Sequence, residues 1–342
     1  MSTRAFITGV SGTELTAPER EFIRSERPWG FILFKRNVET PAQVAALVAE
    51  LRAVAGFADA PVLIDQEGGR VQRLTPPHWP VYPPGAIFAG LYDTDSALGL
   101  TAARLSARLI ACDLADLGIT VDCLPLADVP VAGADAVIGN RAYGTSPGKV
   151  AAIARAITEG LEEGGVLPVL KHIPGHGRAT ADTHFKLPTV DTPRDELERT
   201  DFAAFRPLAD LPMAMTAHVV FSAVDPAHPA TTSATMIAEV IRGTIGFQGL
   251  LMSDDVSMNA LAGNIAERTR AIFAAGCDMA LHCNGKIEEM REVAGQTPEL
   301  AGRALERANA ALAARKGPQP FDRAAARVEL DALIARANTA SA

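Results

Sequence analysis

Four polar clusters in this chain carry residue types that could do chemistry at the spacing they keep. The first is Ser253-Asp254-Asp255. A carboxylate here could attack an electrophilic carbon or stabilise a cation beside it. At the end of an extended strand successive side chains face opposite ways, so one aspartate would face a site and its neighbour away, and spacing alone leaves open which. The second cluster is Asp182-Thr183-His184. Asp182 could hydrogen-bond the His184 imidazole, orient it and raise its basicity, giving a group able to donate and accept a proton near neutral pH. On a loop, the same pair also fits an incidental surface contact. The third, Lys171-His172-Ile173-Pro174-Gly175-His176-Gly177, gathers three polar side chains and two glycines where a strand would end. His172 and His176 invite a metal hypothesis, but Pro174 and Gly175 break the helix that would put i and i+4 ligands on one face. The fourth cluster is Asp65-Gln66-Glu67-Gly68-Gly69-Arg70.

These clusters sit at the ends of short apolar runs. Eight such runs are predicted as strands: Ala5–Gly9, Gly30–Phe34, Val62–Asp65, Thr120–Leu124, Pro168–Lys171, Met213–Ala217, Gly249–Ser253 and Asp278–Leu281. They are apolar almost throughout rather than alternating, as strands covered on both faces are. Helices are predicted between them from cap-then-proline starts at Thr40-Pro41, Ser146-Pro147 and Thr192-Pro193. Thr16 to Glu19 has capping-box spacing, Ser233 leads into another helix, and Gly118 and Gly164-Gly165 act as stops. Alternating strands and helices imply parallel βαβ units, and eight of them imply an α/β fold closed as a single (β/α)8 barrel; a doubly wound open sheet is the alternative. Three strand-to-helix connections, about 66–94, 125–146 and 172–191, are long, whereas helix-to-strand connections are short. In such a barrel the long ones share the C-terminal face, where sites form. The strand ends at Asp65, Lys171-His172, His218, Asp254 and His282-Cys283-Asn284 would then ring one mouth; salt bridging around the rim is the plainer reading of the same residues. One domain is expected over residues 1–342, with the barrel at about 5–285 and an outer helical layer at about 286–342.

Composition narrows the function classes. The 342 residues are 48% hydrophobic, enough for a large core, and carry 32 basic against 40 acidic side chains, a net charge of −8. There is no basic stripe and only 5% aromatic residues, so nucleic-acid binding has no electrostatic or stacking support. No apolar run approaches the roughly 18 residues of a membrane span, and the N-terminus lacks the apolar stretch of a secretory signal. Cys112, Cys123, Cys277 and Cys283 form no Cys-x-x-Cys pair and read as small buried hydrophobes in a reduced compartment. A cytoplasmic protein is expected.

Taken together, Asp65-Gln-Glu-Gly-Gly-Arg70-Val-Gln-Arg73, Ile138-Gly-Asn-Arg141-Ala-Tyr143, Lys171-His-Ile-Pro-Gly-His-Gly177, Asp182-Thr-His184 and Ser253-Asp-Asp-Val-Ser-Met258 resemble glycoside hydrolase family 3. Within it the likeness is to the bacterial cytoplasmic β-N-acetylglucosaminidases of peptidoglycan recycling, over about residues 5–285. The resemblance implies Asp254 as nucleophile, His184 as general acid/base with Asp182 as its partner, and Asp65, Arg73, Arg141, Lys171 and His172 as sugar-holding residues. It implies no cofactor and no metal. The substrate it implies is a small amino-sugar or muropeptide, N-acetylglucosamine β-linked to 1,6-anhydro-N-acetylmuramic acid with or without peptide. A retaining hydrolysis usually uses two carboxylates; here the Asp–His pair would replace the second, and on a long loop it could swing in after substrate binds. Thr183, Ile173, Thr216 and Asn140 depart from residues common in the family, and none removes a proposed catalytic group. A monomer is expected. Two other readings use the same residues: a metal-dependent amidohydrolase-like barrel built on His172, His176 and an aspartate, and a non-catalytic amino-sugar-binding protein. Chelation would separate the first, and Asp254 has no purpose in the second.

Overall fold

The apolar runs do pair in parallel and close on themselves. In the computed structural model, which describes residues 3–183 and 186–340 (side chains to 336), β1 (Arg4–Thr8), β2 (Pro28–Leu33), β3 (Val62–Ile64) and β4 (Val121–Asp122) lie side by side in chain order. β5 (Leu167–Pro168) pairs with β4. After a break at Val169 alone, β6 (Leu170–Ile173) pairs with β8 (Met213–Thr216). β10 (Leu250–Asp255) follows β8, and β11 (Met279–His282) joins β10 to β1. β5 and β6 are one strand in two pieces, so the nine strands of the sheet form an eight-stranded (β/α)8 barrel rather than an open sheet. Strand five, predicted to end at Lys171, runs to Ile173, and Val169 N–H is shared between the carbonyls of Asp122 and Leu124. The 172–191 connection is long, as expected. It contains β7 (Thr189–Val190), which pairs outside the barrel with β9 (Val220–Phe221).

Helix starts follow local chemistry. α1 (Ala17–Glu26) begins at the Thr16–Glu19 capping box, and α2 (Pro41–Ala55) at Thr40, whose hydroxyl accepts from Gln43 N–H. The 66–94 connection is shortened by α3 (Gly85–Thr94), which α4 (Ser96–Asp116) follows directly. α5 (Pro147–Glu163) starts at the expected proline. Thr192-Pro193 misplaces the next start: α6 (Arg194–Arg199) has Pro193 itself as cap, and α7 (Asp201–Phe205) follows after a break at Thr200. The Ser233 signal precedes a π-helical stretch, Met236–Thr244, with Ser233 Oγ accepting from Met236 N–H. α8 (Ile265–Ala275) completes the seventh unit.

The C-terminal segments are not all an outer layer. α9 (Ile287–Gln296) packs against α8 and α1 and so completes the helical ring. α10 (Gly302–Ala313) sends Ala308 and Ala311 into the apolar cluster that fills the barrel interior with Ala5, Trp29 and Met213. It therefore plugs the end of the barrel opposite the mouth. Only α11 (Arg323–Ala340), packed on α3 and α4, lies outside the ring. The four cysteines are buried and unpaired by disulfides. Among the described residues no helix is long and apolar enough to cross a membrane.

Candidate active site

Strand periodicity decides which polar side chains enter the mouth. Leu63, Val169 and Met252 belong to the interior cluster, while Ile64, Leu170 and Leu251 pack outward against the helices. Continuing each strand by two residues places Asp65, Lys171 and Asp254 on the interior side, one layer above the apolar core. All three line one cavity of about 170 Å3 at the C-terminal mouth, with Glu67, Arg73, Arg141, His172, His176, Thr183 and Asp255. The mouth thus gathers Asp65, Arg73, Arg141, Lys171, His172 and Asp254, as well as Thr183 from the Asp182–His184 segment. His184 itself lies outside the described residues.

A buried ion cluster forms the floor. The Lys171 ammonium donates to Asp65 Oδ1 at 3.0 Å and sits 2.7 Å from Glu67 Oε1. Arg73 donates to Asp65 Oδ2 at 3.0 Å. Arg141 grips Glu67 through both fork nitrogens, at 2.7 and 2.8 Å. Burial alone would push both carboxyls up, but the two cations beside each overcome it, holding Asp65 far below the usual carboxylate range and Glu67 at about 2. Burial likewise opposes the charge on Lys171, and Asp65 and Glu67 raise its pKa. Charged donors and acceptors fixed in this way are pre-organised to hydrogen-bond hydroxyl groups.

A further buried carboxylate, Asp128, organises the histidines. Its Oδ2 lies 2.8 Å from His172 Nδ1, and its Oδ1 accepts from the backbone N–H of His172 and of His176. Burial pushes Asp128 up and the two histidines pull it down to about 2. The imidazoles of His172 and His176 stand edge to face with centroids 5.6 Å apart. Burial, seconded by the charge of His172, depresses His176 to about 4, so it is a neutral ring at physiological pH. Its Nε2 lies 3.4 Å from Thr183 Oγ1. His172 and His176 do meet beside an aspartate, Asp128, which hydrogen-bonds the His172 ring. Among the described residues no group of three possible ligands is arranged to hold a metal.

The adjacent aspartates divide as alternation requires. Both Asp255 oxygens are occupied: Oδ1 accepts from Ser257 N–H (3.0 Å) and Cys283 N–H (3.1 Å), and Oδ2 from the Ser257 hydroxyl (2.6 Å). Among the described residues Asp254 accepts one hydrogen bond, from Asp255 N–H to Oδ1 at 2.8 Å. Burial raises the Asp254 carboxyl, but His218, His172, the Asp255 N–H and Lys171 together bring it below its ordinary value. The carboxylate form is thus favoured, and among the described residues its second oxygen has no hydrogen-bond partner where the side chain lines the cavity.

Glu67 and Asp128 were not singled out from sequence. Glu67 stands inside the motif that ends β3, two residues past Asp65 on the same face, and that register could have found it. Asp128 follows an irregular stretch, Leu124–Ala127, where no periodicity applies. Glu67 gives a direct test. Glu67→Gln leaves Arg141 and Lys171 short of a buried counter-charge, and a loss of about 3 kcal/mol in unfolding free energy is expected at pH 7. The folded pKa of Glu67 is depressed, so its contribution is complete above about 4.5 and disappears as pH falls toward 2. Denaturant unfolding of both proteins should therefore converge at low pH; a constant gap would contradict this assignment.

Comparison with known proteins agrees with the geometry. Residues 9–312 match the family model described as the glycosyl hydrolase family 3 N terminal domain. A β-hexosaminidase of Alkalilimnicola ehrlichii is 40% identical over 81% of this chain and 79% of its own, and one of Xanthomonas campestris is 37% identical over 86% and 89%. Among solved structures, a family 3 β-N-acetylglucosaminidase from Paenibacillus superposes with a TM-score of 0.84 at 30% identity; it covers 97% of this chain, which spans 66% of the Paenibacillus protein. The NagZ of Neisseria gonorrhoeae in complex with N-trifluoroacetyl-D-glucosamine superposes with a TM-score of 0.82 at 32% identity, over 98% and 99% of the two chains. With a matched barrel, a matched family model and an ionised carboxylate at the mouth, the chain belongs to glycosyl hydrolase family 3, beside the β-hexosaminidases, and is a glycosidase.

Proposed function

We propose that the chain removes non-reducing-end β-linked N-acetylglucosamine with retention of configuration, acting as one catalytic unit over residues 1–342. The observation that carries this reading is Asp254, an ionised cavity carboxylate that, among the described residues, has one oxygen without a hydrogen-bond partner beside a cluster of fixed charges. Asp254 attacks the anomeric carbon and the bond to the leaving oxygen breaks as His184 protonates that oxygen. Water then attacks the glycosyl–Asp254 ester while His184, oriented by Asp182, takes the water proton, and the sugar leaves as the β-anomer. Asp65, Arg73, Arg141, Lys171 and His172 hold the sugar hydroxyls, and the reaction needs no cofactor. The similarity to the β-hexosaminidases and to the Neisseria NagZ supports a peptidoglycan fragment as substrate, N-acetylglucosamine on 1,6-anhydro-N-acetylmuramic acid with or without peptide. A monomer in the cytoplasm suits a small muropeptide substrate.

Proton NMR of an aryl β-N-acetylglucosaminide during its first turnovers tests the reading. β-N-acetylglucosamine should appear first and mutarotate later. An α-anomer appearing first, or no turnover, would overturn it.

A further inference from the structure

Just before α3 the backbone touches both halves of the ion cluster on the cavity floor. Residues 82–84 run behind the turn that carries Glu67: the Tyr82 carbonyl accepts from Gly69 N–H at 2.8 Å, and a methyl on Gly68 would collide with the Pro83 carbonyl. One residue past Pro84, a methyl on Gly85 would collide with the Arg141 carbonyl and the Tyr143 ring. Residues 82–85 are thus a wedge between the Glu67 turn and the Arg141 turn, whose side chains meet at 2.7 and 2.8 Å. Pro83 and Pro84 stiffen it by fixing φ. Tyr82 anchors the wedge. It is buried, its N–H donates to Gln72 Oε1 at 3.0 Å, and its hydroxyl donates to Asp113 Oδ2 of α4 at 2.7 Å. The Arg327 guanidinium of α11 lies over its ring, 5.6 Å from the centroid, and donates to the Val81 carbonyl at 3.3 Å. α11 begins at Arg323, past residue 312, where the match to the family model ends.

We propose that Tyr82 and Arg327 are positioning residues for sugar binding: α11 holds Tyr82, Tyr82 holds the wedge, and the wedge sets the spacing of Glu67 and Arg141. This rests on the reading of that cluster as the floor that holds the sugar hydroxyls. Neither Tyr82 nor Arg327 lines the cavity, so both act through the backbone between them and the floor. The Arg141 fork meets Glu67 through two parallel bonds, and such pairs are directional. A shift of a few tenths of an ångström in the wedge is therefore felt where Arg141 and Lys171 offer their remaining donors. α11 also carries a contact that only fastens the helix: Arg323 pairs with Asp116 of α4 at 2.8 Å and does not reach the wedge. The two arginines of one helix thus have separate tasks.

The test is the binding of N-acetylglucosamine to the full chain, followed by NMR titration so that no turnover is needed. Arg327→Ala and Tyr82→Phe should each weaken binding by about 3- to 10-fold. Arg323→Ala removes an ion pair from the same helix without touching the wedge, and should bind the sugar as wild type does. A role in packing alone would lower the melting temperature of all three variants without separating their affinities. Wild-type affinity in Arg327→Ala, or equal weakening in Arg323→Ala, would overturn the proposal. Arg141→Ala separates this proposal from the reading beneath it. If Arg141→Ala binds the sugar as tightly as wild type, the floor does not hold the sugar and both fall. If Arg141→Ala binds weakly while Arg327→Ala does not, the floor stands and the positioning role alone is lost.

Discussion

Asp254→Ala is expected to lower kcat by about 10^4-fold or more with little change in stability, because it removes the group that forms the covalent bond. Asp255→Ala should behave in the opposite way. Asp255 holds Ser257 and the Cys283 N–H through three hydrogen bonds, so its loss should cost about 2 kcal/mol of stability with a much smaller fall in kcat. The comparison matters because the two carboxylates are adjacent and both line the cavity. Azide gives a positive signature. In Asp254→Ala it can occupy the vacated space and attack an activated aryl glycoside from the nucleophile's side, so the product is an α-glycosyl azide and activity is partly restored. Near-wild-type turnover of Asp254→Ala, or rescue of Asp255→Ala instead, would reverse the assignment.

The division between these aspartates shows what the sequence could and could not say. Alternation required that the two face differently. Which one faces inward follows from the register of β10, set by Leu250 and Met252 in the barrel interior, and register is a property of the closed sheet. Asp65 and Lys171 were legible for the same reason that the barrel was: apolar runs of strand length ending in polar residues. Glu67 was hidden in plain view because its role depends on Arg141, which arrives from the far end of another loop, 74 residues on. Asp128 was harder. It acts through hydrogen bonds to the backbone N–H groups of His172 and His176, in a segment distant in sequence, and no local pattern encodes such a partner. The C-terminal helices were misread as one layer because alanine-rich helices look alike in sequence. α9 closes the ring, α10 plugs the barrel floor and α11 lies outside, and only their packing partners distinguish them.

His184→Ala should have the second large effect, and its size should depend on the leaving group. Every carboxylate lining the cavity is unsuited to donate a proton. Asp65 and Glu67 are held ionised by Lys171, Arg73 and Arg141, Asp254 is lowered below its ordinary value, and both oxygens of Asp255 already accept hydrogen bonds. His176 is depressed to about 4 and neutral, and His172 has its Nδ1 against Asp128. Beyond these described residues this leaves the proposed donor, His184, which directly follows Thr183 at the cavity lining. On the disaccharide, whose leaving alkoxide needs a proton, turnover should fall by about 10^3-fold. On a dinitrophenyl glycoside, whose leaving group needs little protonation, the first step should survive almost intact, and the remaining loss, about 10-fold, belongs to unassisted attack of water on the ester. A plot of log kcat/KM against leaving-group pKa should accordingly be steeper in the variant than in wild type, and the basic limb of its pH profile should vanish, because the titrating acid is gone. Asp182→Asn should fall between wild type and His184→Ala, since it removes the orienting charge and keeps the imidazole. Disaccharide turnover by His184→Ala within about 10-fold of wild type would mean that the proton is delivered by another group, and the search would turn first to His172.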